Sequence, residues 1–106
     1  MLARGERYRV DCTVRFTLEG GVTGEGALIN LSMNGCAFRS HVSMEEGMLI
    51  AIRMQPTANA APIQVEMAQV RWVNNDACGI EFMFLYEKER RALMRWVRAL
   101  AVQIIQ

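Results

Sequence analysis

The sequence predicts an all-β fold with a C-terminal helix, namely a six-stranded antiparallel β-barrel capped by the helix. Three observations carry this. Apolar and polar residues alternate at period two in short runs between residues 10 and 84. Clusters rich in Gly, Asn, Asp and Pro separate those runs. Only after residue 86 does the apolar spacing change to three and four. The 106 residues suit one domain over 1–106, divided into a flexible arginine arm at 1–9, a barrel at 10–84 and a helix at 86–104.

Residues 1–9 have no apolar periodicity and so predict an exposed arm. Val10, Cys12, Val14 and Phe16 then alternate with Asp11, Thr13, Arg15 and Thr17, the pattern of a half-buried strand. Glu19-Gly20-Gly21 is a hairpin turn. A second strand is expected over about Val22–Leu31, with Gly24 and Gly26 marking a bend or a close backbone approach. Asn34-Gly35 is a turn dipeptide, and a third strand follows at about Cys36–Ser40. Glu45-Glu46-Gly47 turns the chain into a fourth strand, Met48–Met54. Pro56 and Pro62 bracket a loop whose alanines alone would favour helix. Ile63, Val65 and Met67 start a fifth strand, and the shift of alternation to Val70 and Trp72 predicts a bulge near Ala68 or Gln69. After Asn74-Asn75-Asp76 comes a sixth strand, Cys78–Phe84. Leu93, Val97, Leu100 and Ile104 then form the stripe of a helix, with Glu87 and Glu89 near its N-terminus and Arg95 and Arg98 further on, a polarity that suits the helix dipole.

The net charge is only +1, so bulk electrostatics predicts neither nucleic-acid coating nor membrane-surface binding. Its distribution is uneven. Arg4, Arg7 and Arg9 oppose Glu6 at the start, and Lys88, Arg90, Arg91, Arg95 and Arg98 oppose two glutamates at the end. The region between holds four arginines against eight acids. Cys12, Cys36 and Cys78 are odd in number and far apart, which predicts free thiols in a reducing compartment and a cytoplasmic protein. No signal peptide opens the chain, and no apolar run approaches the ~18 residues needed to span a bilayer. No membrane association is expected. Nucleic acid is disfavoured as a partner by the acidic body and by too few aromatic residues at positions expected to be exposed.

The pattern Asn30-x-Ser32-x-x-Gly35 places an amide, a hydroxyl and a bare backbone within six residues, a set that can grip a nucleotide edge, shape a turn, or do both. Arg4, Arg7 and Arg9 precede it, and Arg7 and Arg9 share a face if the arm is extended. Together with Val70-Arg71-Trp72, Gly79-Ile80-Glu81-Phe82 and the C-terminal helix, in this order and spacing, these segments resemble the PilZ domain family over nearly the whole chain. The resemblance implies a six-stranded barrel with a helix and the binding of cyclic di-GMP, a bacterial second messenger, with no cofactor. It also implies ligand-binding roles for Arg4, Arg7, Arg9, Asn30, Ser32 and Gly35, and a downstream protein partner that receives a ligand-dependent change of shape. Two departures stand out. The family's arm is Arg-x-x-x-Arg, and aligning Arg9 with its second arginine puts Gly5 at the first; Asn30 stands where Asp is the common choice. An alternative is therefore a degenerate PilZ-like adaptor that acts by protein contact without the nucleotide.

Other residue sets give less. Cys36 and His41 lack a partnering Cys-x-x-Cys, so no metal site is expected. No acid, base and nucleophile fall into a catalytic pattern, so no enzyme is expected. Trp72 is expected in the core and Trp96 packed on the barrel.

Overall fold

The computed structural model describes residues 6–105. Seven strands and one helix follow one another: β1 Tyr8–Arg9, β2 Thr13–Leu18, β3 Thr23–Leu31, β4 Gly35–Arg39, β5 Leu49–Met54, β6 Ile63–Asn74, β7 Ala77–Phe84 and α1 Glu87–Ile105. Every pairing is antiparallel. The order β3-β2-β5-β6-β7-β4 closes on itself through β3–β4, giving the expected six-stranded barrel with β1 added beside β3.

The interior follows from alternation. Tyr8, Val14, Phe16 and Leu18 are buried, Val10 and Cys12 half-buried, and the intervening odd-numbered residues exposed. One inward row therefore runs from Tyr8 to Leu18. The chain between Arg9 and Thr13 is not regular strand, although Val10 N–H donates to Ile29 O at 3.3 Å and Cys12 O accepts from Leu28 N–H at 2.8 Å. Arg9 faces Asn30 and Thr13 faces Ala27, so four steps on one side meet three on the other, the signature of a bulge. Segment 1–9, expected as a flexible arm, is thus partly built into the sheet. Among residues 6–9 the inward residue is Tyr8, which lies among charges where no periodicity is visible yet is only 6% exposed.

The core is filled by aliphatic and aromatic side chains, with Val14, Leu31, Phe38, Met54 and Val65 fully buried on the strands and Leu93 on the helix. Phe16 and Phe38 stack with ring centroids 5.4 Å apart. Met33, Met44 and Met48 pack against this cluster from its rim. The helix covers the barrel beside β1 and the start of β6, burying Leu93 and Val97, with Trp96 packed against the core as expected. Glu89 Oε1 accepts the Gln64 N–H at 2.7 Å. That amide lies on β6 before the stretch paired to β7, which begins at Met67, so the helix supplies a partner there. Arg95 and Arg98 lie before the last turn of α1, which is free of basic residues.

The bulge expected near Ala68 is present as a register shift between Met67 and Ala68. A second shift between Val70 and Trp72 was not anticipated. It leaves Arg71, Trp72 and Val73 all exposed, which corrects the expectation of a core Trp72; the indole is 43% exposed. Gly35 has a negative φ, since the positive-φ glycines among the described residues are Gly20, Gly21 and Gly47. Its requirement is space: a Cβ there would lie 2.1 Å from the Ile80 carbonyl oxygen on β7.

Two predictions follow from this packing. Gly35→Ala forces β4 away from β7 and is expected to destabilise by about 2 kcal/mol or more, a drop of at least ~8 °C in melting temperature; an unchanged melt would show that the seam yields freely. Burial pushes the Cys78 thiol up to about 11 from 9.0 and raises that of Cys36 still further. A raised thiol pKa favours folding fully below the unfolded value and loses that contribution as pH climbs through the folded value. The melting temperature should therefore fall above about pH 9, with a shallower slope in Cys78→Ala than in the parent.

Candidate functional site

The Asn30–Gly35 segment forms the end of β3, a tight turn and the start of β4. Ser32 holds it together. Its N–H donates to Gly35 O at 2.9 Å, and its Oγ accepts from the N–H groups of Asn34 at 3.1 Å and Gly35 at 3.2 Å. The hydroxyl also lies 3.2 Å from Gly35 O, to which it donates. Ser32 is only 1% exposed, so the side chain replaces backbone partners that a two-residue turn leaves without mates. Asn34 O accepts from Phe82 N–H at 2.8 Å, which ties the turn to β7.

Asn30 and Arg9 face one another across β3 and β1. Arg7 and Arg9 are exposed on either side of buried Tyr8, so both lie on the outer surface, as an extended chain requires. The Arg7 guanidinium donates through Nη1 to Asn30 Oδ1 at 2.8 Å across 23 residues of sequence. Of the expected site residues, the structure therefore joins Arg7, Arg9 and Asn30 at one surface, with Ser32 and Gly35 beneath in the turn that carries Asn30 into β4. Arg4 lies outside the described residues.

Sequence reasoning missed the other wall. A shallow depression of about 230 Å³ is lined by Arg7, Asn34, Arg71, Trp72, Gly79 and Glu81, with Ile80. The Trp72 indole lies across Gly79, where a Cβ would stand 2.1 Å from Nε1. Glycine at this point gives the ring its bed. Arg71 is held by Glu81 at 2.8 Å and by Gln69 at 3.2 Å. The second register shift in β6 is what turns Arg71 and Trp72 outward together. The signal available in the sequence was Val70-Arg71-Trp72 itself, but apolar alternation assigned its tryptophan to the core.

Two guanidiniums, an amide and an exposed indole thus converge. Forked donors meet paired acceptors on a purine edge or on phosphate, and an aromatic face accepts a planar base. Among the described residues, no group of three His, Cys, Asp or Glu side chains is placed to hold a metal ion. No described helix is long and apolar enough to cross a membrane.

A family model described as the PilZ domain matches residues 2–99. Solved structures share the fold. The PilZ domain of YcgR from Escherichia coli, a structure with c-di-GMP, aligns with a TM-score of 0.77 at 16% identity, covering 98% of this chain and 95% of that one. The PilZ domain of CeSA from a cellulose-synthesizing bacterium aligns with a TM-score of 0.72 at 16% identity, covering 92% and 99%. The Bacillus subtilis inhibitor of motility, MotI/DgrA, aligns at 0.74 and 18% identity over 97% of this chain, which spans 53% of that longer one. No curated protein matches the chain by sequence.

The turn geometry makes a direct prediction. Ser32→Ala leaves the half-buried amide of Asn34 and the buried amide of Gly35 without their acceptor and is expected to lower stability by about 1–3 kcal/mol in denaturant melts. A loss below about 0.5 kcal/mol would mean that the turn finds other partners.

Proposed function

The chain belongs to the PilZ domain family, and from that premise we propose that it is a receptor for cyclic di-GMP that passes a ligand-dependent change of shape to a protein partner. The observation that carries this reading is the meeting of Arg7 with Asn30 at the edge of a depression walled by Trp72. The resemblance to a PilZ domain solved with c-di-GMP supports the choice of ligand.

In this reading the guanidiniums of Arg7 and Arg9, with Arg4 ahead of them, take guanine O6 and N7 or the phosphates. Each bidentate guanine contact is worth about 1–3 kcal/mol. Asn30 accepts from guanine N1–H or N2–H once Arg7 turns from Oδ1 to the ligand. Its neutral amide holds Arg7 less strongly than a carboxylate would, so freeing the arginine is cheaper. The role of Ser32 and Gly35 is to fix the turn: the Ser32 hydroxyl hydrogen is committed to Gly35 O, and Gly35 lets β4 approach β7. Trp72 offers a stacking face worth roughly 1–3 kcal/mol for one base. The signal then leaves through β1, because Tyr8 between the two arginines is buried in the core and β1 adjoins α1. Movement of the arm is thereby linked to the helix surface that a partner would read.

Two observations favour the second reading, an adaptor without the nucleotide: Arg7 already has an internal partner, and Gly5 stands where the family's first arginine would be. Calorimetric titration with cyclic di-GMP, with GTP as control, separates the two. The receptor should bind saturably, and Arg7→Ala with Arg9→Ala should weaken binding by at least about tenfold without lowering the melting temperature. Equal affinity in the double variant would refute this residue assignment. Binding that emerges only after Gly5→Arg would instead favour the adaptor.

A further inference from the structure

On the far side of the barrel, four strands carry a row of outward side chains at one level. Arg15 on β2 faces Glu25 on β3 and Arg53 on β5, and Arg53 in turn faces Gln64 on β6. The order across the sheet is Glu25, Arg15, Arg53, Gln64. Two like charges directly opposite on neighbouring strands are destabilising, and opposite charges would be the stabilising choice. Among the described residues, neither arginine has a carboxylate within 4.0 Å, although three other arginines do. Glu25 stands beside Arg15 without closing on it.

The geometry around the pair is open and small-sided. The next level of the sheet holds Thr23, Thr17 and Ala51. These short side chains leave a depression of about 590 Å³ along the row, lined by Arg15, Thr17, Thr23, Arg53 and Gln64 among others. A second depression of about 390 Å³ lies on the other side and shares Arg15, Glu25 and Arg53. Gln64 Oε1 accepts from Arg53 Nε at 3.1 Å, which fixes the direction of that guanidinium and leaves its two terminal nitrogens available. Arg15 and Arg53 rise from adjacent strands about 4.8 Å apart, so they present two forks along one wall, one for each of two linked phosphate groups.

We propose that Arg15 and Arg53 form a second binding site, for the linked phosphates of a soluble phosphorylated ligand. It lies on the β2–β5 wall, opposite the β4–β7 wall in the strand order of the barrel. The threonine hydroxyls supply further donors to phosphate oxygens. Glu25 limits affinity, because its carboxylate repels the same anion that the arginines attract. The site is independent of the arm: it shares no residue with Arg7, Asn30 or Trp72.

The test is a titration of the full chain with inorganic pyrophosphate, followed by NMR of backbone amides and arginine Nε–H groups. Saturable shifts are expected at Arg15 and Arg53 and along β2 and β5. Arg15→Gln with Arg53→Gln should weaken binding at least about tenfold, with a melting temperature equal to or above that of the parent because the like-charge pair is gone. Glu25→Gln, which leaves both arginines in place, should tighten binding by about threefold. Shifts that never saturate, that persist in the double variant, or that are confined to Arg7 and Arg9 would overturn the proposal, as would a Glu25→Gln variant that binds pyrophosphate no more tightly than the parent.

Discussion

Closure of the barrel rests on one close approach, that of β4 to β7 at Gly35. A Cβ at this position would lie 2.1 Å from the Ile80 carbonyl oxygen, so the two strands reach this separation only with a bare backbone there. The Ser32 hydroxyl and the Phe82-to-Asn34 hydrogen bond then lock the adjoining turn. Without this seam β3 and β4 would be a hairpin at an open edge, and the six strands would be a curled sheet with two edges. Closure removes those edges and lets Phe38, Leu31 and Ile80 meet inside.

The same turn organises the outer surface. Because Asn30 sits immediately before it, the residue's position is fixed by buried hydrogen bonds two residues away. Tyr8 anchors β1 opposite Leu31, and that pairing sets Arg9 against Asn30 and brings Arg7 within reach of its amide. A motif that resembles a ligand-contacting sequence therefore divides its labour. Its serine and glycine serve the fold, while its asparagine and the arm's arginines remain at the surface. The buried turn and the exposed Arg7–Asn30 pair are linked here through neighbouring backbone rather than shared side chains.

Charge is arranged by wall rather than by net value. The depression beside β6 and β7 combines arginines with an exposed indole, and Arg71 there is balanced by Glu81. The β2–β5 side holds two arginines in line that, among the described residues, have no close carboxylate partner. Surface ion pairs add little to stability, about 0–1 kcal/mol each, so these patterns weigh more on what the surface attracts than on whether the chain folds.

Much of this architecture was legible in the chain. Period-two alternation gave the barrel strands, and the change to helical spacing gave α1, because burial imposes those periods on residue order. The bulge near Ala68 was visible for the same reason, as a break in alternation. The segments Asn30–Gly35, Val70–Trp72 and Gly79–Phe82 carried the family. Three things needed the tertiary structure. The burial of Tyr8 was hidden because one inward residue among charges has no period. The exposure of Trp72 was hidden because a second bulge reverses which way a side chain points without changing its apolar character. The row of Arg15 and Arg53 joins residues 38 positions apart in sequence. Local order determines which residues alternate; only the register of closed strands decides which of them meet.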